Sequence, residues 1–126
     1  MLLTKWGEAL DRELPLPEYP RPQLKRESFL NLNGVWSCAF TQSSAPPEEF
    51  DGEILVPFAP ESPLSGVGRV LQPGEYLWYR RSFSLPEGFN IGRVLLHFGA
   101  VDQVARVYLN GEDVCVHTGG YLPFSA

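Results

Sequence analysis

Five acidic positions would matter most if any two of them met: Glu48, Glu49, Glu61, Glu75 and Asp102. Two carboxyl groups roughly 5 Å apart, one with a raised pKa, can serve as acid/base and nucleophile at an acetal carbon. That chemistry needs a cleft holding both groups. Glu48 and Glu49 adjoin each other behind Pro46-Pro47, where neighbouring acids form a solvated turn, and the other three stand alone in sequence. No catalytic pair is expected within this chain. His97 and His117 lack a third ligand at fixed spacing, so no metal is expected, and both read as hydrogen-bonded structural histidines. Cys38 and Cys115 lie in apolar runs outside any CxxC pair. They read as two buried free thiols in a reducing compartment. No GxSxG or GxxxxGK[ST] motif occurs, and no cofactor is implied.

The elements that must position these residues read as strands. Twelve Pro and twelve Gly interrupt the chain at short intervals and leave little room for long helices. One short helix is possible where Leu3, Trp6, Leu10 and Leu14 recur at helical spacing, a packed arm being the alternative. The run LPLPEYPRP, residues 14–22, must be extended. Residues 1–22 are therefore expected to form an N-terminal arm and residues 23–126 a β-sandwich domain. Strands are expected over 35–40, 52–56, 76–85, 93–98, 105–109 and 112–117. The last two flank Asn110-Gly111, the pair favoured by a type I′ turn because both central residues take positive φ. Trp36 and Trp78 fall within strands and read as core.

Arg81 shares its strand parity with Leu77, Tyr79, Phe83 and Leu85. An unpaired buried guanidinium costs several kcal/mol, so Arg81 requires a carboxylate or carbonyl partner. The expected partner is Asp102 or Glu61, in a structural ion pair that fixes loops.

About six strands suggest an antiparallel sandwich or jelly roll, the latter having eight when complete. The chain of 126 residues suits one domain, and with 44 % hydrophobic residues it can build a core. Ten Lys and Arg against fifteen Asp and Glu give a formal charge of −5, which argues against nucleic acid and against an anionic membrane surface. No apolar run approaches the roughly 18 residues of a membrane span, and no signal-like leader is seen, so the cytoplasm is the default expectation.

Several segments resemble the opening domain of the family 2 glycoside hydrolases. Tyr19-Pro20-Arg21-Pro22-Gln23 and Leu32-Asn33-Gly34-Val35-Trp36 are similar to its entry. Val56-Pro57-Phe58 and Glu61-Ser62-Pro63-Leu64-Ser65-Gly66 are similar to its first long loop, and Trp78-Tyr79-Arg80-Arg81-Ser82-Phe83 to its central strand. The longest match runs from Leu96-His97-Phe98-Gly99-Ala100-Val101-Asp102 through Val107-Tyr108-Leu109-Asn110-Gly111 to Gly119-Gly120-Tyr121 and Pro123-Phe124. These matches keep order and spacing from Tyr19 onward.

The resemblance implies a galactose-binding-like jelly roll, incomplete at its C-terminus, whose catalytic barrel lies outside this chain. It implies a non-catalytic domain that supports an active site built elsewhere. It further implies that loop 60–74 reaches the mouth of that site, with Glu61, Ser62, Ser65 and Arg69 as candidates to face a carbohydrate held only in the whole enzyme. Within this chain by itself the expectation for the loop is a flexible linker. A free-standing carbohydrate-binding module and a purely structural interaction domain are the alternative functions. Partners are expected to be further domains of the same polypeptide and, through open sheet edges, other copies of this chain.

Overall fold

A computed structural model describes residues 3–126; Met1 and Leu2, where the expected helix or arm begins, lie outside the described residues. The fold class read from the sequence is the one observed: all-β, with every strand pairing antiparallel. The chain divides into two compact units, one ending at Ser84 and the other spanning Leu85–Ala126.

In the first unit, β1 (Gly34–Thr41), β2 (Gly52–Val56) and β3 (Tyr76–Arg80) form one sheet in the order β2-β1-β3. Ile54 and Leu55 are adjacent in β2 and therefore point to opposite faces, yet each is only 1 % exposed. Both faces of that strand are thus covered. Cys38 lies opposite Gly52, and a Cβ at Gly52 would stand 3.0 Å from the Cys38 sulfur. The glycine is what lets this register close. β3 is shorter than the alternation of residues 76–85 suggests, because the ladder with β1 stops at the Ser37–Arg80 pair.

The N-terminal segment is both helix and arm. Thr4 caps a single turn, Lys5–Glu8, by accepting from the Gly7 N–H at 3.2 Å. The proline-rich stretch then runs to the sheet. Pro15 is buried, and its carbonyl accepts from the Asn33 side-chain amide at 3.0 Å. Trp6 is 73 % exposed, with the Lys5 ammonium 4.5 Å from its ring centre. Trp36 and Trp78 are half-buried in their strands, each with its ring N–H spent, on the Leu32 carbonyl at 2.7 Å and the Thr41 hydroxyl at 3.0 Å.

In the second unit, β5 (Val104–Leu109) and β6 (Glu112–Thr118) form the hairpin read from Asn110-Gly111, whose φ values are 52° and 87°. Val107 faces Cys115 while Tyr108 faces Asp113, so Val114 is the extra residue of a β-bulge that simple alternation does not reveal. The strand expected over 93–98 pairs only as β4 (His97–Phe98), with β7 (Phe124–Ser125). That seventh strand was not expected. It is two residues long, too short to show a period.

Candidate functional site

Loop 60–74 carries four of the residues singled out in sequence, and its order comes from its own side chains. Ser62 precedes Pro63, and its hydroxyl accepts from the Leu64 N–H at 3.3 Å, capping the 3-10 turn Pro63–Ser65. Gly66 ends that turn at φ 84°, returning its N–H to the Pro63 carbonyl at 3.2 Å. Ser65 is 1 % exposed. Its hydroxyl donates to the Ser62 carbonyl at 2.7 Å, lies 3.3 Å from the Pro60 carbonyl, and accepts from the Val67 N–H at 3.0 Å.

The far end of the loop is held by charge. Arg69 forms an ion pair with Glu75, which also accepts from the Gln72 N–H at 2.9 Å. The Arg69 guanidinium lies 4.0 Å over the Phe40 ring of β1, and its backbone N–H reaches the Pro60 carbonyl at 3.0 Å. The expected flexible linker is therefore a bonded loop. Ser62 and Ser65 are occupied inside it, and Arg69 is a clamp. Glu61 is exposed and, among the described residues, makes no hydrogen bond or ion pair.

Glu61 does act on Tyr79. Partial burial first (the residue is still 38 % exposed), then Cys38 and the Glu61 carboxylate, favour the neutral Tyr79 phenol, with its pKa pushed up to about 12. Tyr79 lies directly across from Cys38 in the ladder. Burial, with Asp51 and Glu53 nearby, likewise raises the Cys38 thiol above its usual value. A raised thiol pKa means an inert, protonated sulfur. The structure records no disulfide at Cys38 or Cys115.

Arg81 takes the carbonyl option. Its guanidinium donates to the Leu32 carbonyl at 2.9 Å and the Asn33 carbonyl at 2.8 Å, so Glu61 is not its partner. Gly34 makes this possible: at φ 122°, a Cβ there would sit 3.0 Å from Arg81 Nη1 and 3.1 Å from the Glu13 carbonyl. Arg81, the turn before β1 and the arm thus meet at one point. Asp102 belongs to the second unit, where it packs so tightly on Gly120 that a Cβ there would lie 2.9 Å from its Cγ.

The histidines divide. His97 Nδ1 is 2.6 Å from the Ser125 hydroxyl, as a hydrogen-bonded structural histidine should be. His117 departs from that expectation: its ring stacks on Phe124 at 4.4 Å and its Nε2 is buried without a partner. Stacking, not hydrogen bonding, sets its place.

One feature has no signal in the sequence. A crevice of about 170 Å³ in the first unit is lined by Arg12, Val35, Glu53, Ile54, Leu55, Ser65 and Gly66. Arg12 comes from the arm and Glu53 from β2, and nothing in their spacing foretells the meeting. Among the described residues, no cluster of three or more His, Cys, Asp or Glu is placed to hold a metal ion. No helix among them is long and apolar enough to cross a membrane.

Comparison with known proteins returns no matching family model. A β-glucuronidase from Pongo abelii is 43 % identical over 137 aligned positions, covering 96 % of this chain and 21 % of that protein. A β-glucuronidase from Paenibacillus borealis is 27 % identical over 115, covering 86 % of this chain and 19 % of its own length. A β-galactosidase from Thermoanaerobacter pseudethanolicus is 49 % identical over 47, covering 37 % of this chain and 6 % of that protein. The chain thus spans about a fifth of the length of the β-glucuronidases that it matches over most of its own.

Proposed function

We propose, from this chain's relatedness to the family 2 glycoside hydrolases, that it is a non-catalytic jelly-roll domain supporting a β-glycosidase active site carried by other parts of the polypeptide. The single observation behind this reading is the alignment of nearly the whole chain with about a fifth of a β-glucuronidase. β-Glucuronides are the favoured substrate class, because the relatives with that name align over most of the chain and the β-galactosidase over little more than a third. The domain's contribution is positional. Loop 60–74 is ordered by Ser62, Ser65 and the Arg69–Glu75 pair, and it presents Glu61, whose carboxylate is unspent. Glu61 is the residue of this loop that faces the carbohydrate site of the assembled enzyme, and Arg69 holds the loop's outer half in place. The two free thiols suit a reducing compartment, and the cytoplasm is the proposed location.

Incubating the chain with a chromogenic β-glucuronide and a chromogenic β-galactoside, alongside calorimetric titration with each sugar, tests the reading. No turnover and no heat of binding are expected. Hydrolysis by the chain alone sinks the non-catalytic role, and millimolar or tighter binding makes it a carbohydrate-binding module instead.

A further inference from the structure

Asn-Gly occurs twice in this chain, at Asn33-Gly34 and at Asn110-Gly111. In this pair an asparagine side chain reacts most readily with its own backbone, because glycine has no Cβ to shield the next nitrogen. The two copies have opposite surroundings. Asn33 is half-buried, and its side-chain amide donates to the Pro15 carbonyl at 3.0 Å. Gly34 is buried and stands in the ladder opposite Val56, with Arg81 and the Glu13 carbonyl pressed against it. At the hairpin tip, Asn110 and Gly111 are both exposed, and a Cβ on Gly111 would meet nothing within 4 Å. Among the described residues, neither the Asn110 side chain nor the peptide unit joining it to Gly111 makes a hydrogen bond. The φ values of 52° and 87° are those of a type I′ turn. A type II′ turn differs by a flip of that same peptide unit, with only the first central φ positive. The flip leaves the Leu109–Glu112 rung in place and swings the Gly111 nitrogen towards the Asn110 side chain.

We infer that Asn110 is a site of spontaneous deamidation, and that the fold keeps Asn33 an amide. The Gly111 nitrogen gives its proton to solvent and attacks Asn110 Cγ. A bond from that nitrogen to Cγ forms, the Cγ–Nδ2 bond breaks, and ammonia leaves. Water then opens the cyclic imide at either carbonyl, giving aspartate or isoaspartate. The net change is one water taken up and one ammonia released, with no other reactant. Glu112 and Asp113 follow directly, so the product places three acids in a row at the tip. Arg106 answers Asp113 at 3.3 Å, which leaves the new carboxylate uncompensated by an ion pair. Asn33 is barred from the same reaction because its side chain must first release Pro15 and its glycine is packed in place. The inference rests on the surroundings of the two pairs and not on the proposed glycosidase role, so the two stand or fall separately.

Peptide mapping by mass spectrometry tests it, on the whole chain aged at mildly alkaline pH in native buffer and, in parallel, in concentrated guanidinium chloride. In native buffer Asn110 should convert at least about tenfold faster than Asn33, the factor that one net hydrogen bond at Asn33 supplies. In denaturant the two rates should converge, because neither pair then has a fold around it. Asn110→Gly, which keeps a turn-forming pair, should remove the acidic product at the tip and leave Asn33 unconverted. The inference is overturned if Asn110 keeps its amide as long as Asn33 in native buffer, or if both convert equally fast there. A gap of the same size in denaturant also overturns it, because neighbouring residues and not the fold then set the rates.

Discussion

At the scale of single residues, the point where Arg81, Gly34 and the arm meet carries the sharpest stability expectation. Gly34 sits at φ 122°, where a side chain is strained, and a Cβ would press on both Arg81 Nη1 and the Glu13 carbonyl. Gly34→Ala should therefore cost about 2–4 kcal/mol, combining backbone strain with a displaced guanidinium. Gly68→Ala is the control. Its φ is 64° with open space around it, so strain alone should cost about 1–2 kcal/mol. Equal losses by urea unfolding would mean the contact with Arg81 contributes nothing. Tyr79 gives a second expectation, with a definite sign. Its folded-state pKa of about 12 exceeds the ordinary 10.0, so the fold favours the neutral phenol. Its contribution is intact below pH 10 and is lost as pH rises from there towards 12. Tyr79→Phe should flatten the fall in melting temperature over that window, and Glu61→Gln should lower the Tyr79 transition seen by ultraviolet titration. An unchanged transition in Glu61→Gln removes the link between loop and strand. Arg81's need for a partner was legible from its apolar parity. Its partners were not, because backbone carbonyls at Leu32 and Asn33 leave no mark on residue type.

At the scale of elements, local chemistry was readable and long-range pairing was not. Asn110-Gly111 announced its turn because the two positive φ values depend only on those residues. Ser62-Pro63 and Gly66 set the start and stop of a 3-10 turn in the same local way, although the expectation of a flexible linker overlooked it. The true lengths of β3 and β4 depend instead on how far their partners extend, which alternation along one strand cannot state. The bulge at Val114 belongs to the same class. Loop 60–74 shows how function-related residues can be misread by type alone: two of its hydroxyls serve the loop itself. Ser65→Ala should cost about 1 kcal/mol, since it removes a hydroxyl that is itself buried and leaves the part-buried Val67 N–H without its acceptor. It should also speed exchange at the Val67 and Arg69 amides while leaving the β5–β6 hairpin untouched. Exchange that rises equally in the hairpin would show that the loop is not an independent element.

At the scale of the whole molecule, opposing surface forces decide how copies of this chain meet. The hairpin sheet contains only β5 and β6, so both of its outer edges lack a strand partner among the described residues. Val104 and Val116 on it are 68 % and 54 % exposed, and Ile91, Tyr121 and Leu122 of the same unit are more open than Val116. Such edges and apolar side chains favour association. Against this stands the formal charge of −5, which makes copies repel. Added salt shortens the Debye length to about 3 Å at 1 M and removes that repulsion, while the apolar attraction survives. Light scattering should therefore give a mass close to 14.1 kDa at low ionic strength and low concentration, rising with both. An interface built on ion pairs predicts the opposite salt response, and a mass that stays at one chain throughout would show that the open edges are already protected.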